Sequence, residues 1–259
     1  MSKPKILTLD IETSPLLSYT WGIWQQNIGL NMIKTDWHIL AFAAKWLDSR
    51  EVIYFDQRGQ KNMENDKVLL KKIWKLLNDA DVIITQNGKS FDEKKINSRF
   101  ILNGMKPPSP YRHLDTLKIA KKRFSFTSNK LEYLSKKLNK KYKKLSHHNF
   151  EGFKLWSECL KGNIKAWREM ERYNKHDVLA TEELYLKLQP WDNKLKANLY
   201  SDSVEMACDC GHTEFKKAGF HYTDSGKFQR YSCLSCGATQ SDKVNVFTKE
   251  KKASLRKRL

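Results

Sequence analysis

The chain has 259 residues and carries 48 Lys and Arg against 29 Asp and Glu, a formal net charge of +19. Its 40% hydrophobic and 12% aromatic content is enough to bury a core, which excludes a disordered chain despite 30% charged residues. The excess of cations points to a polyanionic partner, and to nucleic acid before an anionic membrane, because no basic amphipathic segment with an apolar face stands out.

The opening MSKPKILTLD has no apolar stretch of signal-peptide length, and no later run approaches a membrane span. The expectation is an intracellular, cytoplasmic protein with reduced thiols. Ile6 to Ile11 reads as a strand, and so do His38 to Trp46 and Glu51 to Phe55, the last two separated by the turn-like Asp48-Ser49-Arg50. Asn65 to Asp79 has helical spacing of Val68, Leu69, Ile73, Leu76 and Leu77. Asp81 to Thr85 is a short apolar run, the pattern of a buried strand. A helix follows over Asp92 to Leu102, then a proline-rich loop at Pro107 to Pro110 and a short strand around Tyr111 to Leu114. Ser128 is placed to cap a helix whose face holds Leu131, Leu134 and Leu138. A long helix spans about Asn163 to Leu188 and stops at Pro190. Three strands and then alternating strands and helices predict an α/β fold, a mixed sheet flanked by helices.

Composition changes after Trp191. The expected organisation is a domain over 1–191, a linker over 192–205, a cysteine module over 206–241 and a mobile basic tail over 242–259. There is no internal repeat.

The first strand ends in Asp10 and Glu12, two residues apart and therefore on one face. Two such carboxylates are either solvated acids at a strand end or ligands that a divalent cation holds together. Asn87-Gly88 makes a turn before Asp92, which opens a helix. Tyr173 and Asp177 are four apart on the long helix and share a face. Taken singly, this last pair also fits a core tyrosine beside a surface ion-pair partner.

The order of the three motifs, D-x-E on a strand, N-G-x-x-F-D at a strand–turn–helix and Y-x-x-x-D on a late helix, resembles the DEDD superfamily of 3′–5′ exonucleases. The tyrosine marks the subtype that includes the proofreading domain of family B DNA polymerases. The likeness is above all to stand-alone ribonuclease H-like exonucleases of phages and bacteria, and it covers about residues 5 to 190, including Trp21-Gly22, Ser128 to Leu134 and the KLQPWD stretch ending at Asp192. The resemblance implies that Asp10, Glu12, Asp92 and Asp177 hold two Mg²⁺ or Mn²⁺ ions and that Tyr173 orients the attacking water. It implies a 3′–5′ exodeoxyribonuclease acting on single-stranded 3′ ends; a subunit that serves a replication or recombination protein stays open alongside this reading. An RNA exonuclease, a structure-specific endonuclease and a non-catalytic nucleic-acid-binding protein are the alternatives. In the histidine subtype the histidine stands five residues before the last Asp. Here that position is Arg172, so His176 is expected at the helix surface or behind the ligands, and Asp115 lies outside the metal quartet.

Between Lys118 and Lys144 there are eleven Lys or Arg and one acid, Glu132. Within this band Lys121, Lys122 and Arg123 are candidates for phosphates, and Phe124 and Phe126 for stacking on bases or for the core. His147-His148 reads as a polar loop. Near the C-terminus Cys208, Cys210, Cys233 and Cys236 form two close pairs, each followed by glycine. Four thiolates suit one structural Zn²⁺, and the segment from Gly219 to Cys233 resembles zinc ribbons attached to transposases and other phage proteins. The first pair is C-x-C where C-x-x-C is usual, so His212 is an alternative ligand to Cys210. Lys227 and Arg230, interleaved with aromatics, are candidate nucleic-acid contacts. Cys159 reads as an ordinary buried thiol.

Overall fold

The first strand, β1 (Ile6–Thr13), is buried on both faces, and its two faces differ in kind. Leu7, Leu9 and Ile11 point into one apolar layer, so strict alternation sends Thr8, Asp10 and Glu12 to the other side. The computed structural model describes residues 4–145 and 149–256 of the chain. These divide into two units, Lys5–Lys187 and the residues from Leu188 onward together with Pro4.

After β1 the chain leaves the sheet as a narrow ribbon in which β2 (Leu17–Ser18) pairs antiparallel with β3 (Ile33–Thr35). It returns as β4 (Ile39–Trp46) and β5 (Ile53–Asp56). There follow α1 (Lys67–Asp79), β6 (Val82–Thr85), α2 (Asp92–Leu102) and β7 (Arg112–Asp115). The unit is completed by α3 (Thr116–Arg123), α4 (Leu131–Leu138), α5 (Lys154–Leu160) and the 25-residue α6 (Ile164–Leu188).

The five-stranded sheet has the order β5-β4-β1-β6-β7. β1, β4 and β5 are antiparallel neighbours, whereas β6 and β7 run parallel to β1. The mixed sheet flanked by helices is thus the one predicted. On one face Leu7, Leu9, Ile11 and Phe42 pack with Leu70 and Ile73 of α1 and Ile96 and Phe100 of α2. On the other, Ala41 packs with Leu155 and Cys159 of α5 and with Trp167 and Met170 of α6. Burial of this extent is the main stabilising term of the unit.

Local chemistry sets the boundaries. Asp115 caps α3 by accepting from the Leu117 amide at 3.0 Å. The cap of α4 is Lys130, not Ser128; the Ser128 hydroxyl accepts from the Lys130 amide at 3.3 Å and shapes the turn before the helix. Helices α3 and α5 were not foreseen, and neither was the β2–β3 ribbon.

In the second unit β8 (Phe215–Thr223), β9 (Gly226–Cys233) and β10 (Thr239–Asn245) form an antiparallel sheet in the order β10-β9-β8. A short helix, α7 (Lys249–Ser254), lies within the stretch expected to be a mobile tail. The Thr248 side chain caps it by accepting from the Lys251 amide at 3.2 Å. His147-His148 lies outside the described residues.

Candidate active site and cysteine cluster

The alternation of β1 explains how Asp10 and Glu12 come to sit inside the protein. Across the ladder they stand opposite Ala43 and Ala41, both fully buried, so the smallest side chains face the two acids. Asp92, first residue of α2, accepts from the Ile11 amide at 3.0 Å, which brings it to the same stretch of β1. Asp177 enters from α6 and is buried, as is Tyr173 one turn earlier. The structure therefore unites all five predicted catalytic residues.

Four acids in one buried place raise one another's proton affinity. Burial, then the charges of Asp92, Glu12 and Asp177, push the Asp10 carboxyl well above the usual carboxylate range. Burial and the Asp177 charge push Glu12 up to about 8. Burial likewise takes Asp92 up to about 7, against the pull of the Ile11 amide. Asp177 is raised by burial too, although Lys144 opposes it, and its Oδ1 is buried without a hydrogen bond. A group of oxygens that resist ionisation and leave a lone pair unused fits a divalent cation, which would invert the local electrostatics.

Three supporting residues were missed. Asn174 Nδ2 donates to Asp10 Oδ2 at 2.6 Å, and Trp156 Nε1 donates to Glu12 Oε2 at 3.0 Å. The Lys144 ammonium pairs with Asp177 Oδ2 and lies 4.6 Å from the centre of the Tyr173 ring. Burial works against the charge on Lys144, but Asp177 holds it firmly protonated. The stretch that delivers Lys144 is strapped to α6: Glu183 accepts from the amides of Lys140, Lys141 and Tyr142, and His176 donates to the Lys143 carbonyl at 2.6 Å. His176 is thus a positioning group behind the acids. Neither Asn174 nor Trp156 has a spacing signature; Lys144 had only its place in the basic band.

Asp115 gains a clear role. It is fully buried and accepts from the amides of Asn87 at 3.0 Å and Lys89 at 3.3 Å, as well as capping α3. It therefore fixes the turn that aims Asp92. In that turn a Cβ on Gly88 would meet the Thr85 side chain at 2.3 Å, so no other residue fits. Lys121, Lys122 and Arg123 form the exposed last turn of α3. Phe124 and Phe126 stack on each other, with centroids 4.9 Å apart.

In the second unit the Sγ atoms of Cys208, Cys210, Cys233 and Cys236 all lie within 4.8 Å of one another. Among the described residues this is the one group of three or more His, Cys, Asp or Glu ligand atoms drawn so close. Gly211 and Gly237, at φ of 91° and 76°, give each knuckle its left-handed turn. Burial pushes against the Cys233 thiolate, yet the amides of Cys236 and Ser235 hold its thiol down to about 7. Four convergent thiols fit a zinc ion. His212 lies outside the cluster, its Nδ1 3.9 Å from the Cys210 sulfur. On the hairpin, Lys227 Nζ lies 3.9 Å from the centre of the Phe220 ring, and Arg230 donates to the Ala218 carbonyl at 2.8 Å.

The sequence profile of the RNase H superfamily matches residues 29–189. The chain belongs to the RNase H superfamily. Membership supports a nuclease-type function and a nucleic-acid substrate. Among solved structures the chain is similar to the family B DNA polymerase of the hyperthermophilic archaeon Pyrobaculum calidifontis, with a TM-score of 0.51 and 15% identity. That similarity covers 73% of this chain and 25% of the polymerase, so the chain spans about a quarter of the polymerase's length and the likeness is one of fold. No curated protein matches. Among the described residues no helix of this superfamily member is long and apolar enough to cross a membrane.

Proposed function

We propose that this chain is a metal-dependent 3′–5′ exonuclease that hydrolyses phosphodiester bonds in DNA from single-stranded 3′ ends. The observation that carries the reading is the convergence of four carboxylates from β1, α2 and α6, each displaced toward its protonated form, with Asp177 Oδ1 unsatisfied. Asp10, Glu12, Asp92 and Asp177 would hold two Mg²⁺ or Mn²⁺ ions. When bound, such ions supply a hydroxide near neutral pH and stabilise the leaving alkoxide. Asn174 and Trp156 fix the Asp10 and Glu12 carboxylates before substrate arrives. Tyr173 orients the attacking water. Lys144 keeps a positive charge against Asp177, suited to an incoming phosphate. DNA, the single-stranded end and the polarity follow the resemblance to the tyrosine subtype of DEDD exonucleases. The basic turn of α3 with Phe124 and Phe126, and Lys227 and Arg230 of the hairpin, serve as nucleic-acid contacts, while the four cysteines hold one structural Zn²⁺.

The test is a digestion time course on single-stranded DNA labelled at its 5′ end, with Mg²⁺, Mn²⁺ or EDTA. The expected result is a ladder shortening from the 3′ end, absent in EDTA and reduced about a thousandfold in Asp10→Ala/Glu12→Ala. A ladder that survives in the double variant overturns the assignment of the acids. Cleavage of RNA or branched DNA in place of this substrate overturns the substrate.

A further inference from the structure

Between Ser14 and Trp37 the chain exposes what a folded domain ordinarily buries. Trp21, Ile23 and Trp24 are 97%, 92% and 82% accessible, and Tyr19 and Leu30 are exposed beside them. Single apolar residues on a surface need no explanation, but a run of them on one projection marks a binding surface. The base of the projection is hydrogen-bonded. The Ser14 amide donates to the His38 carbonyl at 2.8 Å, the His38 amide to the Ser14 hydroxyl at 2.9 Å, and the Tyr19 amide to the Met32 carbonyl at 2.9 Å. Thr13 is still paired with Ile39 in the main sheet. The ribbon thus grows from the end of β1 that carries Asp10 and Glu12.

Its composition selects the occupant. The polar side chains near the tip are amides, Gln25, Gln26, Asn27 and Asn31. The charges of the ribbon are Lys34 and Asp36, which cancel, and Lys34 lies 5.9 Å from the centre of the Tyr19 ring. A bilayer-binding loop needs a surplus of cations beside its tryptophans, and this ribbon has none. Aromatic faces and amides are the groups that grip unpaired bases, by stacking and by hydrogen bonding. The phosphates of such a strand match the +19 charge of the chain as a whole.

We infer that Tyr19, Trp21 and Trp24 form a stacking platform for the unpaired bases of a single strand whose terminal phosphodiester lies at the carboxylates. The platform holds the strand by its base faces, without regard to sequence. This inference rests on the nuclease reading, and the experiment separates the two. The full chain and its Trp21→Ala/Trp24→Ala variant are titrated, in EDTA, into 5′-fluorescein oligothymidylate of about 20 nucleotides, with anisotropy as the readout. Hydrolysis of bis(p-nitrophenyl) phosphate in Mn²⁺ is measured in parallel, because that ester is a single phosphodiester with no strand of bases beyond it. The expected result is binding weakened roughly tenfold or more, near recovery in Trp21→Phe/Trp24→Phe, and an unchanged rate on the small ester. Melting temperature stays put, since the rings support no core. Equal affinity of wild type and variant for the oligonucleotide overturns the platform. So does unchanged DNA affinity with lost binding to phosphatidylglycerol vesicles, or with a dimer turned monomer; these assign the ribbon to a membrane or to a second copy. A wild type that binds the strand through the two tryptophans but cleaves neither substrate supports the platform and sinks the nuclease reading.

Discussion

The thiols at positions 208, 210, 233 and 236 come from the two ends of one hairpin, whereas the carboxylates at 10, 12, 92 and 177 come from three elements spread over most of the larger unit. The thiols already touch, with Cys208 and Cys236 sulfurs 3.5 Å apart. The acids are held in place from outside, by Asn174, Trp156, the Ile11 amide and Lys144. Around the thiols few apolar side chains are buried, and Cys208 and Cys233 are themselves among them. Around the acids there are two packed layers. On the proposed reading, the difference means that one site would depend on its ion for folding, while the other is folded first and would depend on its ions for chemistry.

The sharpest way to break this contrast is to remove zinc. Chelation, or Cys236→Ser, is expected to unfold the stretch from Met206 to Asn245, with loss of about 10 kcal/mol or more of metal-linked folding energy. Limited proteolysis with zinc analysis checks it: rapid cleavage there, with Lys5–Lys187 intact, is the expected pattern. Protection that survives full loss of zinc would erase the distinction. A smaller effect tests the outer support of the acids. Asp115→Ala removes the acceptor for Asn87, Lys89 and Leu117, at a cost of about 2–3 kcal/mol in denaturant unfolding, and slows cleavage by misaiming Asp92.

The smallest effect concerns pH. Glu12 has a folded pKa raised from 4.5 to about 8, so its contribution to stability is fully present below about pH 4.5 and is lost as pH rises through 8. In EDTA the larger unit is expected to melt several degrees lower at pH 8 than at pH 5. Glu12→Gln makes that slope shallower without abolishing it, because Asp10, Asp92 and Asp177 are displaced the same way, and divalent cations remove it in the wild type. A melting temperature that climbs over this range would show that the acids are not mutually strained. Calorimetry over a pH series measures it.

How much of this was legible in the sequence follows the same contrast. Cysteine pairs with a glycine after each are local signals, and so is the helical spacing of Val68, Leu69, Ile73, Leu76 and Leu77, whose end at Asp79 is the end observed. Asp10 and Glu12 were legible because a strand alternates. Asn174, Trp156 and Lys144 were not, since each is defined by what it reaches across the fold. Helix α3 was overlooked although Asp115-Thr116 is a capping signal, because Leu117, Ile119 and Ala120 give it a short apolar face amid lysines. The ribbon was overlooked because two paired strands of two and three residues leave no period to read.

Ala41 and Ala43, facing Glu12 and Asp10 across the ladder, carry a consequence for descent. A larger side chain at either position would crowd the acid beside it while leaving every acid in place. A lineage could therefore lose its chemistry with its motifs untouched. In a set of relatives, a bulky residue opposite the first motif would identify the silent copies that a count of carboxylates passes as active.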